Sequence, residues 1–337
     1  MTLTQLRCLV AIAEAGLNIT LAAERVHATQ PGLSKLLRQL EDELGFQLFQ
    51  RKGRSLTAIT HAGEQVLERA RTILAEAANI RSIAANLRNE TQGTLRIATT
   101  HTQARFALPG TIAAFSRLYP HVSVHLQPTS APDVFLALEG GLVDLVMVST
   151  TADMPPAGGI ALPAYRWNRV ILVPHEHPLV QQAQPVTLEQ LAAYPLISYD
   201  STLKPGSSLT RAFDAVDLRP QIVMTASDAD LIKTYVHQGL GVGVLAEMAL
   251  QPERDAGLHT LDADHLFAPC TTWMVLRRDS VPRDYTLDFI DLFAPHLDRR
   301  AVRHVLGANG ASPPSWLTAP HWRERQALLE KSAAAGM

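Results

Sequence analysis

Gln30-Pro31-Gly32-Leu33-Ser34-Lys35-Leu36-Leu37-Arg38-Gln39-Leu40-Glu41-Asp42-Glu43-Leu44 is the stretch from which the rest of the chain can be read. Leu33, Leu36, Leu37, Leu40 and Leu44 recur at helical spacing and form one apolar stripe. Pro31, Ser34, Lys35 and Arg38 share another side. Thr29 is a natural N-cap, and Pro31 suits a first turn, where its missing N–H is not needed. The spacing predicts a short helix pinned to a core by leucines, with small polar and basic groups facing outward. An ordinary amphipathic helix with a solvated face has that layout, and so does a recognition helix for a DNA major groove. Its neighbours in sequence decide between the two.

Upstream, Leu3, Leu6, Leu9, Val10 and Ala13 keep helical spacing up to Gly16, and Leu21 to Val26 behind Thr20 reads as a second, short helix. His27-Ala28-Thr29 is a tight connection, so the plan is helix-turn-helix. Downstream, Gly45 breaks the pattern. Phe46 to Phe49 and Leu56 to Thr60 read as two short strands around Arg51-Lys52-Gly53-Arg54-Ser55. A basic hairpin tip beside a helix-turn-helix reads as a wing on phosphates, a solvated turn being the plainer alternative. The expected DNA-binding set is Thr29, Gln30, Pro31, Ser34, Lys35 and Arg38 on the helix, with Arg51 and Arg54 on the wing.

These segments resemble the LysR-type transcriptional regulators. The resemblance rests on Ala22-Ala23-Glu24, Thr29 to Ser34, Leu40 to Gly45, Leu48 to Arg51, and Leu56-Thr57 through Ala62-Gly63. It implies an N-terminal winged helix-turn-helix and a C-terminal domain that senses a small molecule.

The 337 residues exceed what one core usually serves, so two or three domains are expected. With 47% hydrophobic and 18% charged residues the chain fits a globular protein, and its net charge of −2 means that any basic footprint is local. Cys8 and Cys270 are the only cysteines, too few for a zinc cluster or disulfide framework, which suits a reducing cytoplasm. Met1 to Arg7 lacks a signal-peptide pattern, and no stretch is long and apolar enough for a membrane span. A cytoplasmic protein with no membrane partner is expected.

Beyond Thr60, a natural cap with Glu64 in the first turn, Val66, Ala70, Ile73, Ala77, Ile80, Ala84 and Leu87 alternate at four and three residues. That is a heptad seam, with a helix packed on its own domain as the rival reading. The family resemblance implies a dimerisation linker. Asn86 to Gly93 reads as a polar hinge. From Thr94 strands alternate with helices. Leu95 to Thr99, Val122 to Leu126 and Asp144 to Val148 are strands of one round; Arg169 to Val173, Leu196 to Tyr199, Ile222 to Met224 and Val242 to Leu245 belong to a second. Helices fall at Gln103 to Tyr119, interrupted by Pro109, at Pro132 to Glu139, and near Thr187, Ser208 and Asp228; Thr271 to Leu276 and Asp284 to Leu297 add a strand and a helix. The pattern predicts parallel α/β sheets in two subdomains around a cleft. The fold class is α/β throughout this region, a two-subdomain sensor of periplasmic-binding-protein type behind a winged helix-turn-helix and a long linker helix. The expected divisions are 1–60, 61–92, 93–300 and a tail of unknown role, 301–337, broken by Pro313-Pro314 and containing a short helix from Trp322 to Ser332.

Thr99-Thr100-His101-Thr102-Gln103 leaves the first strand and enters a helix, where free N–H groups favour an anion. Ser149-Thr150-Thr151 follows another strand end, Trp167 could wall the cleft, and Thr225-Ala226-Ser227-Asp228 opens a later helix. Helix capping competes for Thr100 and Thr102, and Ser227 with Asp230 reads as a capping box. The segment Thr99 to Pro109, Trp167-Asn168-Arg169, Ala226 to Val236, Gly239 to Val244 and Phe293 to Leu297 together resemble the CysB-like subgroup, regulators of sulfur assimilation. The resemblance implies an effector such as acetylserine or sulfate, held by Thr100, Thr102, Gln103 and Ser149, with Trp167, Thr202, Lys204 and Thr225 around it. Lys204 stands on the segment least like the family. It further implies operator DNA, self-association as a dimer of dimers and RNA polymerase as partners, with no cofactor, metal or catalysis.

Among other chemistries, His175-Glu176-His177 lacks further metal ligands in sequence, and Gly239-Leu240-Gly241-Val242-Gly243 follows a helix and enters a strand, the reverse of a dinucleotide loop. The competing reading from another class is a periplasmic solute-binding protein; a LysR-type regulator of an unrelated pathway is the nearer alternative.

Overall fold

A computed structural model describes the chain except residues 54, 129–132, 152–153, 183–184, 205, 298, 308–317 and 336–337. Arg54 and Pro313-Pro314 therefore lie outside the described residues. The chain forms two compact units, one comprising Met1–Glu90 with Glu139–Leu142 and Ser280–Arg283, the other Thr91–Leu138, Val143–Asp279 and Asp284–Met337.

In the first unit α1 (Leu3–Glu14), α2 (Ile19–Arg25) and α3 (Gln30–Leu44) are followed by the antiparallel pair β1 (Phe49–Lys52) and β2 (Ser55–Ile59). Thr29 Oγ1 accepts the Gly32 N–H at 3.3 Å, and Gly45 ends α3 in the left-handed region at φ +78°, a conformation that costs a glycine little. Leu33, Leu37 and Leu40 are buried with Leu6, Leu9, Ile12, Ala22, Ala23, Leu48 and Phe49, while Leu36 and Leu44 lie at the edge of that core. Burying each leucine supplies roughly 1.5–3 kcal/mol, so the stripe is what anchors the helix. Two local expectations shift. The second helix begins at Ile19, because Asn18 and not Thr20 caps it, accepting the Leu21 N–H at 3.1 Å. The first wing strand starts at Phe49 rather than Phe46, since Phe46 is exposed before Leu48 and Phe49 enter the core.

The long helix α4 (His61–Leu87) starts behind Thr60, whose hydroxyl accepts the Gly63 N–H at 2.9 Å. A Cβ on Gly63 would stand 2.1 Å from the Leu48 carbonyl oxygen, so only glycine lets this turn approach. The expected seam divides in two. Val66 and Ala70 pack on the winged core with Leu67 and Leu74, whereas Ile73, Ile80, Ile83 and Leu87 are exposed, Ile80 by 68% and Leu87 by 80%.

The second unit holds β3 (Gln92–Thr99), α5 (Pro109–Leu118), β4 (His121–Pro128), α6 (Asp133–Glu139), β5 (Leu145–Thr151), β6 (Ile160–Trp167), β7 (Arg169–Pro174), α7 (Pro178–Gln181), α8 (Leu188–Ala192), β8 (Leu196–Tyr199), α9 (Ser208–Asp214), β9 (Ile222–Ala226), α10 (Ala229–His237), β10 (Val242–Ala246), β11 (Leu258–Asp262), β12 (Cys270–Leu276), α11 (Asp284–Phe293), α12 (Arg299–Gly307) and α13 (Trp322–Ala335). One five-stranded sheet has the order β4-β3-β5-β12-β6, the other β11-β7-β10-β8-β9. Both are mixed, which corrects the all-parallel expectation. Strands β3, β4 and β5 run parallel, as do β8, β9 and β10, but β12 is antiparallel to β5 and β6, and β7 to β10 and β11. The chain passes to the second sheet at Asn168, between β6 and β7, and returns through β12. A π-helical turn, Gln103–Ala107, replaces the first part of the expected Gln103–Tyr119 helix, and α5 begins at Pro109. The last helix extends to Ala335, beyond the expected Ser332.

Candidate functional site

Gln30, Pro31, Lys35 and Arg38 are exposed on α3 and Ser34 is half-buried, so the polar face that the sequence predicts stands in one row clear of the leucines. Thr29 spends its oxygen on the cap. Arg51, expected on phosphates, is held otherwise: its Nη2 lies 2.6 Å from Glu41 Oε2. Glu41 is buried and its other oxygen accepts the N–H groups of Leu48, at 2.9 Å, and Phe49, at 3.4 Å. A buried carboxylate thus ties the recognition helix to the wing strand. In sequence Glu41 is hidden among Asp42 and Glu43, which are exposed.

In the second unit the chain brings together much of the expected polar set. Gln103, 2% exposed, points its Nε2 to Thr272 Oγ1 at 3.2 Å and to Ser149 Oγ at 3.5 Å, and its Oε1 accepts the Tyr165 hydroxyl. Ser149 also lies 2.9 Å from Thr272 and accepts the Trp167 indole N–H at 3.3 Å. Thr100 Oγ1 accepts the Gln103 N–H at 3.3 Å, which leaves its own O–H to donate. Thr102 is buried close to Tyr199, a β8 residue, at the cleft between the subdomains of the two sheets. Thr151 Oγ1 to Gly206 O, at 3.4 Å, and Arg105 to Asp230, at 2.6 Å, span the same cleft.

Three expected residues are placed differently. Thr202 is fully buried and its hydroxyl hydrogen goes to the Tyr199 carbonyl. Lys204 is exposed, at the end of the Asp200–Leu203 turn. Thr225 pairs with Ser198 in the β8–β9 register, half-buried, without a hydrogen bond to the cluster. At α10 it is Asp228, not Ser227, that caps, accepting the Leu231 N–H at 2.9 Å; Ser227 is exposed one residue too early. A cavity of about 490 Å³ lies beside this cap, lined by His101, Ala104, Arg105, Asp228, Asp230, Leu231 and Thr234. His177 caps α7, and His175 meets His259 edge-on, with ring centroids 5.8 Å apart; among the described residues no three His, Cys, Asp or Glu side chains gather as a metal site would require.

Sequence reasoning missed the cation. Arg169, 5% exposed at the start of β7, lies with its guanidinium carbon 5.9 Å from the Trp167 ring centroid and donates from Nε to Ser208 Oγ at 2.6 Å. Its Nη1 is buried with no hydrogen-bond partner. Burial pushes its pKa down, with Cys270 and Tyr199 opposing. The clue in sequence was a lone charge opening an otherwise apolar strand, Arg169-Val170-Ile171-Leu172-Val173. Tyr165 and Thr272, which orient Gln103, carried no local signal.

With that geometry in hand, the chain matches two family models. Residues 3–64 match the bacterial regulatory helix-turn-helix protein, lysR family, and residues 88–298 match the LysR substrate binding domain. The chain belongs to the LysR family. It is 42% identical to the HTH-type transcriptional regulator CysB of Haemophilus influenzae, over 90% of this chain and 93% of that protein. It is 38% identical to the HTH-type transcriptional regulator SsuR of Burkholderia cenocepacia, over 91% and 99%. The cofactor-binding domain of the Cbl transcriptional regulator, a solved structure, is similar with 37% identity and a TM-score of 0.60, covering 65% of this chain and 96% of that one. A member of the LysR family carries its helix-turn-helix on the same chain as its sensor, which sets the solute-binding reading aside.

Proposed function

We propose that this LysR-family protein is a cytoplasmic, effector-responsive regulator of sulfur metabolism genes, without catalysis. The observation that carries the effector reading is the convergence of Thr100, Thr102, Gln103, Ser149 and Trp167 beside Arg169, a buried cation with an unpartnered nitrogen. Neutral donors at the start of a turn and an unneutralised guanidinium both favour negative charge. The ligand is a small anion such as sulfate, or the carboxylate of an acetylserine. Likeness to CysB, SsuR and the cofactor-binding domain of Cbl supports the sulfur-pathway assignment. On this reading residues 1–60 bind DNA, 61–92 link and dimerise, 93–300 take up the effector and 301–337 form the tail.

Operator reading falls to Gln30, Ser34, Lys35 and Arg38. The exposed row Ile73, Ile80, Ile83 and Leu87 is the surface on which a second copy packs, and the assembly is a dimer of dimers on inverted half-sites, acting on RNA polymerase. Effector uptake shifts the balance between cleft or dimer arrangements that present the winged domains at different spacing. A thermal-shift screen of the full-length protein against sulfate, thiosulfate, O- and N-acetylserine and alkyl sulfonates tests the reading. At least one of these should raise the melting temperature in a dose-dependent way, because a ligand that binds only the folded state stabilises it. No response to any of them would move the protein to another pathway.

A further inference from the structure

The C-terminal helix, which the site's own residues do not include, sits behind that site. Residues 319–321 run along β6, the edge strand of the first five-stranded sheet: the Arg166 N–H donates to Pro320 O at 2.8 Å, and Arg166 Nε donates to Ala319 O at 3.1 Å. Arg166 and His321 form a parallel bridge. His321 and Arg323 reach Glu247 at 3.0 and 3.6 Å, and Glu247 in turn accepts the Asn168 N–H at 2.8 Å. All these contacts grip the strand and its exit, the piece of chain that presents Tyr165 and Trp167 to Gln103 and Ser149.

The helix's own anchor is Arg325, fully buried. Its Nε donates to the Phe293 carbonyl at 2.9 Å, but Nη1 and Nη2 make no hydrogen bond, and no carboxylate pairs with it among the described residues. Instead its guanidinium carbon lies 4.1, 5.1 and 5.3 Å from the ring centroids of Phe293, Tyr165 and Trp322. Trp322 packs on Tyr165 with centroids 5.0 Å apart. A cation set among aromatic faces is held by the ring quadrupoles, and arginine's planar guanidinium can also stack on them. Burial lowers its pKa to about 10, still well above neutrality, so the charge is present. A buried cation near a phenol makes that O–H a better donor. Tyr165 donates its O–H to Gln103 Oε1 in a hydrogen bond, and this leaves Nε2, the donor end, facing Ser149 and Thr272.

We infer that the C-terminal helix is a working part of the effector site: Arg325 is a positioning residue that holds Tyr165, and through it the amide of Gln103, in the anion-binding orientation. This rests on the reading of the Gln103 cluster as the effector site. The test is a double-mutant cycle on full-length protein, with sodium sulfate titrated calorimetrically into wild type, Arg325→Met, Tyr165→Phe and the double variant. Each single change should weaken sulfate about 2- to 12-fold, the worth of one neutral hydrogen bond, and the double should be no weaker than Tyr165→Phe alone. Wild-type affinity in Arg325→Met, or losses that multiply in the double, would overturn the inference, since a merely structural role gives independent effects. If Arg325→Met does not fold, Trp322→Leu takes its place in the cycle with the same expectations. If wild type itself takes up no sulfate, the sulfate reading of the cluster fails on its own, and the inference is then read from a crystal structure of the variant. Gln103 turned away from the Tyr165 hydroxyl supports it; an unchanged Gln103 contradicts it.

Discussion

Replacing Glu41 by alanine should loosen the wing without touching a DNA-facing residue. The change removes the acceptor of two buried N–H groups and the partner of Arg51. An unsatisfied buried donor costs about 1–3 kcal/mol. The Leu48 bond, at 2.9 Å, is worth the full amount, whereas the Phe49 bond, at 3.4 Å, is weak. The Arg51 side chain is 26% exposed and can turn to water, so the lost ion pair adds little. The sum is roughly 2–4 kcal/mol, or about 30- to 1000-fold in a local opening equilibrium. Glu41→Gln keeps one acceptor oxygen and should lose only about 1 kcal/mol. Hydrogen-exchange mass spectrometry on the full-length protein reads this directly in peptides covering 45–60. Exchange there that matches wild type in Glu41→Ala would refute the clamp.

The remaining expectations concern DNA, assembly and pH. Arg38→Ala, Lys35→Ala and Gln30→Ala should each cost roughly 1–3 kcal/mol on the operator and relax its sequence preference, whereas the loss of a mere phosphate contact would lower the salt slope by about one unit on all sequences alike; footprinting across salt concentrations separates the two. Ile73→Asp with Ile80→Asp should dissociate the oligomer in sedimentation velocity, because a heptad seam does not tolerate buried unpaired charges; wild-type sedimentation would remove α4 as the interface. His296 is half-buried, its Nε2 lies 3.0 Å from Pro163 O, and partial burial pushes its pKa below the ordinary 6.5, the Pro163 carbonyl opposing and nearby Arg325 adding to the fall. The unfolded chain therefore takes up a proton below pH 6.5 that the folded one refuses, so stability should drop as pH falls from 6.5 towards the folded pKa. His296→Gln should flatten that part of the melting-temperature profile, and an unaltered profile would exclude His296 as its source.

The helix-turn-helix was legible because its signals are local. A leucine period, a threonine cap and a glycine stop occupy one continuous stretch, and each keeps its role in the fold. The cleft was legible only on one side. Thr100 and Gln103 follow a strand end, a position that any α/β sequence advertises, whereas Ser149, expected after a strand, lies inside β5, which runs on to Thr151. Strand β6 escaped notice because it is buried along nearly its whole length, so no alternation marks it, and Pro163 argues against a strand there. Strand β11, Leu-His-Thr-Leu-Asp, is short and half polar. The antiparallel return of β12 depends on pairing across more than a hundred residues and leaves no trace in periodicity. Glu41, Arg169 and Arg325 share one reason for being missed: a charged residue reads as surface, and only the packing of distant segments buries it. Ser227 and Asp228 show the opposite limit, where two adjacent capping residues differ by one position and only the backbone settles which of them caps.

The most direct test of the central claim is a calorimetric titration of sulfate into the full-length protein, wild type against Thr100→Val and Lys204→Ala. Thr100→Val keeps the side-chain shape and deletes the donor, so affinity should fall roughly 5- to 150-fold, the equivalent of about 1–3 kcal/mol for a hydrogen bond to a charged ligand. Lys204, exposed at the end of its turn, should matter little. Unchanged affinity in Thr100→Val, or a loss confined to Lys204→Ala, would contradict the account and place the anion elsewhere.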